Sequence, residues 1–197
     1  MSKRGTGISS DIDKTIVPMF LSEMDGLDSS SAIVMLATNR PDMLDPAVTR
    51  DGRIDIKVEI PRPGPRETKH IFEIHMKGKP LAPGVSLDGL SKLICCTLFD
   101  NEKRMKKITL SDSSEHFLKL GHIVNGAMVA GIVEKSIINA IRRDKENGGV
   151  PTGITEEDVS NSLEDIFMEN NHLDHKDIIK DLLGGRADHI KKIEKII

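Results

Sequence analysis

Two arginines three residues apart, Arg50 and Arg53, and an asparagine upstream, Asn39, are the residues whose types and spacing could do phosphate chemistry. A guanidinium is always charged and forks onto phosphate oxygens, which suits it to charge that develops during phosphoryl transfer. Read alone, such a pair is more often a surface salt-bridge pair. Both readings stay open on the arginines themselves. Asn39 follows Ile33 to Ala37, a short, almost wholly apolar run that reads as a strand covered on both faces of an α/β sheet. Thr38-Asn39 would then emerge at the carboxyl edge of that sheet, where ligand crevices form. Asp45-Pro46 predicts a short helix, with proline at its first position after an Asp cap. Asp51-Gly52 then turns the chain into Arg53.

The ordered run ATNRPDMLDPAVTRDGRID resembles the second region of homology of AAA ATPases, approximately T-N-R-P-D-x-L-D-P-A-x-x-R-P-G-R-x-D. The resemblance implies roles residue by residue. Asn39 falls on the sensor-1 position, which orients the attacking water near the γ-phosphate. Arg50 and Arg53 fall on the paired arginine fingers, which act on nucleotide held by the neighbouring subunit; such a finger is worth roughly 10³ to 10⁵ in rate. Asp51 departs from the pattern, where the family has proline, and puts a carboxylate between the two arginines.

The elements that must position these residues come before and after. Ser2 to Ser10 is a polar, glycine-containing segment read as an exposed loop; the family has its second pore loop here, which makes Lys3 and Arg4 candidates to face a central channel. A helix follows, with Ile16, Val17, Phe20, Leu21 and Met24 at helical spacing, and Gly26 is expected to stop it in the left-handed conformation. Asp25-Gly26 falls on the family's inter-subunit signalling element, against the plain reading of Asp25 as a charge in a last helical turn. Pro61 to Pro65 cannot continue a strand and marks a linker. The expected organisation is residues 1–61 as the second half of a large α/β subdomain, 62–66 as linker, 67–170 as a small, mostly helical subdomain, and 171–197 as a tail.

Within the second unit, helices are expected from Glu67 to Met76, from Leu87 to Phe99 with Cys95-Cys96 buried, from Asn125 onward, and after Thr155. KKITL and HFLKL around SDSS predict a β-hairpin over 106–120. This insertion, the NGAM that follows and RGTGISSD near the amino terminus resemble the bacterial proteasomal ATPases. In AAA proteins His75 would lie near adenine and ribose, and Gly126-Ala127 would stand beside the base. Taken alone, His75 is a boundary residue and the small pair serves close packing. Arg142-Arg143 reads as a solvated helix end. His172 and His175 lack a supporting carboxylate or cysteine pattern, so no metal site is expected. The tail, ending IKKIEKII, reads as packed or as an amphipathic helix.

With 28 Lys+Arg against 31 Asp+Glu, the net charge of -3 gives no electrostatic case for nucleic acid or an anionic membrane as partner. No apolar run approaches the ~18 residues of a membrane span, and adjacent cysteines form no disulfide framework, so a cytoplasmic protein is expected. The sequence holds neither G-x-x-x-x-G-K-[ST] nor an apolar strand ending in Asp-Glu. The chain is therefore expected to be α/β: a partial AAA large subdomain with a truncated parallel sheet, then the helical subdomain with its hairpin. The resemblance implies ATP with Mg2+, a homo-hexamer or an intact AAA subunit as partner, protein substrates, and a proteasome core, although the usual hydrophobic-Tyr ending is replaced by Ile196-Ile197. The leading expectation is a piece of an ATP-driven unfoldase, inactive alone; a non-catalytic oligomerisation or regulatory module and a nonfunctional remnant are the alternatives.

Overall fold

The computed structural model describes residues 9–26, 33–41, 44–50 and 52–196, with side chains from 15 onward. The chain divides into two compact units, Met1–Ile60 and Pro61–Ile197. It is α/β, as the resemblance implies; the sheet among the described residues is a small antiparallel one, and the expected truncated parallel sheet is not among them.

In the first unit, α1 (Ser9–Asp25) carries Pro18 in its interior and buries Met24, and Val48 of the downstream turn is also buried. Gly26 does not adopt the left-handed conformation expected of it, so α1 ends without a glycine C-cap. The expected strand at Ile33–Ala37 does not form: the segment joins no ladder among the described residues, and Ile33 is 92% and Met35 89% exposed. The alternating run Ile54 to Ile60 is likewise unpaired among the described residues, with Ile56, Val58 and Ile60 exposed. The reason is physical: an apolar strand is stable only with a neighbouring strand for its N–H and C=O groups and a second layer for its side chains. The described residues of this unit supply neither. The expected helix at Asp45-Pro46 is a turn instead, in which Asp45 Oδ1 accepts from the Ala47 N–H at 2.8 Å and the Asp45 carbonyl accepts from Val48 at 2.9 Å.

The second unit holds the core. Gly64-Pro65 opens α2 (Pro65–Met76), with proline at the first position and Glu67 reaching back to the Gly64 N–H at 3.1 Å. Ser86 caps α3 (Leu87–Leu98). Asn125 caps α4 (Gly126–Glu146), and Thr155 with Asp158 forms a capping box on α5 (Glu156–His172). The apolar stripes Leu90, Ile94, Leu98 and Val129, Ile132, Val133 meet Phe72, Val159 and Leu163 in one cluster. Cys95 is half-buried and Cys96 exposed, against the expectation that both are covered, because the buried stripe of α3 runs through Ile94 and Leu98.

The hairpin forms as read: β1 (Arg104–Leu110) pairs antiparallel with β2 (Glu115–Lys119). At its tip, Ser113 takes φ 67, and Asp112 Oδ1 accepts from the Ser114 N–H at 2.9 Å. Its apolar side completes the helical core through Met105, Ile108, Leu110 and Leu118. Of the two readings of the tail, packing is what forms, through a short helix that buries Ile179 and Leu183 and then a strand. After α6 (Lys176–Leu183), β3 (Ile190–Lys195) pairs with the other edge of β1, giving the order β2-β1-β3.

Candidate nucleotide and inter-subunit residues

Within the first unit the geometry centres on Arg53. Its Nε donates to Asp25 Oδ1 at 2.8 Å and its Nη2 to Asp25 Oδ2 at 2.7 Å, a planar fork on a carboxylate. Nη1 donates to the Ala47 carbonyl at 2.8 Å. The pair is partly solvated, Arg53 being 23% and Asp25 55% exposed. The hydrogen bond from Arg53 holds the Asp25 carboxyl below its ordinary value, and the same contact raises Arg53. On Arg53, then, the salt-bridge reading is what forms, and within this chain.

Arg50 stands differently. Its carbonyl accepts from the Arg53 and Ile54 N–H groups at 3.2 and 3.3 Å, which closes the turn, while its exposed side chain has no partner among the described residues. Gly52 makes that turn possible with φ +88, a region a β-carbon disfavours. Asp51, the departure from the family pattern, lies outside the described residues, as do Lys3 and Arg4. Asn39 is exposed at a bend, one residue after Thr38, whose Oγ1 accepts from the Arg40 N–H at 3.0 Å.

In the second unit, His75 is exposed in the last turn of α2. Gly126 and Ala127 form the first turn of α4, where Asn125 Oδ1 accepts from Met128 at 2.9 Å, and a β-carbon on Gly126 would meet nothing within 4 Å. The entry to this turn is braced by Arg62, whose Nη1 donates to the Ile123 carbonyl at 3.1 Å. Among the described residues no hydrogen bond joins His75 to Gly126-Ala127, and no group of three or more His, Cys, Asp or Glu is placed to hold a metal ion.

Sequence reading missed Arg143. It is no solvated end: its guanidinium donates to Thr155 Oγ1 at 3.0 Å, to Thr152 Oγ1 and the Gly153 carbonyl at 2.7 Å each, and pairs with Asp158 and Asp144. It lines a cleft of about 210 Å³ with Asn139, Arg142, Glu146 and Glu157. The available signal was the Thr155-x-x-Asp158 capping box, a carboxylate that needs a cation once buried. Among the described residues no helix is long and apolar enough to cross a membrane.

Residues 1–62 match the family model described as "ATPase family associated with various cellular activities (AAA)". The chain is 35% identical over 175 residues to an "AAA ATPase forming ring-shaped complexes" of Bifidobacterium animalis subsp. lactis (strain AD011), covering 85% of this chain and 34% of the relative. A protein of the same description from Corynebacterium kroppenstedtii is 35% identical over 186 residues, covering 86% of this chain and 32% of the relative. One from Bifidobacterium longum (strain DJO10A) is 34% identical over 170 residues, with 84% and 32% covered. The chain thus spans about a third of the length of these relatives, and its likeness to the AAA family model lies in residues 1–62.

Proposed function

We propose that this chain works as the carboxyl-terminal part of a ring-forming AAA ATPase module. In this reading Asn39 is its sensor 1, and the turn carrying Arg50 and Arg53 is presented to nucleotide on a neighbouring subunit. The observation that carries the reading is the pair of strand-like sequences flanking these residues, the apolar Ile33 to Ala37 and the alternating Ile54 to Ile60, which find no strand partner among the described residues. Such edges are stable when another segment completes the sheet. A preceding AAA segment or an intact AAA subunit supplies it, in a ring that resembles the relatives' ring-shaped complexes; six subunits is the number the family implies.

ATP would bring the phosphoanhydride that is cleaved and Mg2+ to neutralise it. The residues present fit only the base end: Gly126 leaves open space for close approach, Ala127 and His75 are exposed, and no phosphate loop is in the sequence. In this reading Gly126, Ala127 and His75 border the base, Asn39 holds water by its amide, and an arginine offers N–H donors to phosphate oxygens across the interface. The chain alone is then not an ATPase. Work on protein substrates, cytoplasmic location and association with a proteasome belong to the same proposal. The proteasome has the least support, since residues 190–195 are committed to β1 and the Ile196 N–H donates to the Met105 carbonyl at 3.0 Å.

The test is ATP turnover by the purified chain and by mixtures with a full-length ring-forming AAA ATPase. Expected are no Mg-dependent hydrolysis alone and an altered rate in mixtures, lost with Arg50→Ala. Turnover by the chain alone overturns the assignment. A mixture rate altered equally by wild type and Arg50→Ala favours a non-catalytic oligomerisation module, and no alteration at all favours a remnant.

A further inference from the structure

Arg53 uses its side-on fork, Nε with Nη2, on Asp25, and spends Nη1 on the Ala47 carbonyl. A guanidinium grips a phosphate bidentately through that kind of edge, so as folded Arg53 has no such fork to offer on its Nε side. Its charge is also balanced by the carboxylate it holds. Arg50, on the same turn, has neither constraint: its side chain is exposed and unpartnered among the described residues. The two arginines are mechanically linked, because the Arg53 and Ile54 N–H groups both hang on the Arg50 carbonyl and Gly52 folds the chain between them. Arg53 further ties three pieces of backbone together: the last turn of α1 through Asp25, the Asp45–Val48 turn through Ala47, and its own turn.

We infer that the two arginines divide the work: Arg50 is the group that reaches nucleotide, whereas Arg53, clamped by Asp25 and the Ala47 carbonyl, is a positioning residue that aims it. Asp25 is then the counter-ion of this brace, acting inside its own chain. A shift at the carboxyl end of α1 is transmitted to Arg50 through the brace. The brace itself stands on this chain's geometry; its consequence for nucleotide rests on the proposed function, and the two are tested separately.

The first test is phenylglyoxal footprinting of the full chain, with modified arginines located by peptide mass mapping. Arg53 should react about fivefold more slowly than Arg50, the protection expected of a modest, partly solvated ion pair, and Asp25→Asn should abolish the difference. Equal reactivity in the wild type overturns the brace whatever the chain's function. The second test is ATP turnover in mixtures with a full-length ring-forming relative. Arg53→Asp should lose the effect of the wild-type chain, and the reversed pair Asp25→Arg/Arg53→Asp should recover most of it, since a positioning pair tolerates exchange of its charges and a phosphate-reaching arginine does not. Arg50→Ala should stay inactive in either background. Loss in the reversed pair equal to that of Arg53→Asp alone, in protein whose far-ultraviolet circular dichroism and unfolding midpoint match wild type, refutes the positioning role. If the wild-type chain has no effect on turnover, the proposed function fails, and the footprint still decides the brace.

Discussion

Gly153→Ala is expected to destabilise the second unit more than any other glycine-to-alanine change there. Gly153 takes φ +88, and a β-carbon on it would lie 2.5 Å from the Leu81 carbonyl carbon and 2.7 Å from the Ala82 nitrogen. Both obstacles are backbone, so the loop and the Leu81 segment must separate. Three contributions add. A left-handed conformation costs a residue with a β-carbon about 1 kcal/mol. Separation breaks the bonds that define the Leu81–Ile154 bridge, Ala82 N–H to the Ile154 carbonyl and Ile154 N–H to the Pro80 carbonyl, both 3.0 Å, at about 1 kcal/mol each. Ile154, 2% exposed, then loses part of its burial. The sum, about 3–4 kcal/mol, is a large share of the ~5–15 kcal/mol that holds a domain together. For a unit of this size it corresponds to a fall in midpoint of roughly 12–16 °C. The assay is thermal unfolding followed by far-ultraviolet circular dichroism, because the chain has no Trp or Tyr to report by fluorescence. A fall of less than ~2 °C, about 0.5 kcal/mol on the same scale, would refute the reasoning. Gly131→Ala is the control with the opposite sign: Gly131 lies inside α4 with nothing within 4 Å of an added β-carbon, so alanine should stabilise by about 0.5–1 kcal/mol.

Arg143→Ala should cost about 2–3 kcal/mol in urea unfolding, because it strands the Asp158 carboxylate, only 4% exposed; Arg143→Lys should recover part of this, and a loss under ~0.5 kcal/mol would mean that the clamp is ornamental. Asp88 is bonded to Lys69 and Lys92 at 2.7 Å each, and its pKa is lowered from 3.8 to about 2, chiefly by the Lys69 hydrogen bond. A depressed carboxylate stabilises the fold fully above its unfolded value, and the contribution is lost as pH falls through the folded one. Acid titration of the unfolding midpoint should therefore steepen between 3.8 and about 2, and Asp88→Asn should flatten that segment. An identical acid limb in the variant would remove Asp88 from the account.

The helices and the hairpin were legible because their signals are local. Asn125, Thr155 and Ser86 cap where polar side chains precede apolar stripes, and Ser111 to Ser114 is turn chemistry between alternating runs. What was not legible depends on distant partners. Ile190 and Ile193 sit three apart, a helical spacing; the open edge of β1 makes the segment a strand, and a register shift in that pairing sets Ile193 opposite Ile108 and Ile190 opposite Leu110. The apolarity of Ile33 to Ala37 is plain in sequence, but pairing is a property of a neighbour, and no described neighbour provides it. Arg53 carries the same side chain whether it grips phosphate or carboxylate; Asp25, at the end of α1, makes the choice. Arg143 looked solvated because its partners, Thr152, Gly153 and Asp158, lie beyond a glycine turn that brings them back.

The central claim, that this chain completes a nucleotide site on another AAA subunit, is tested most directly by titrating the purified chain into a full-length ring-forming AAA ATPase and measuring phosphate release at saturating ATP. The account predicts a dose-dependent change in turnover with wild-type chain and none with Arg50→Ala at matched incorporation into the ring. Incorporation of both proteins with indistinguishable turnover would contradict it.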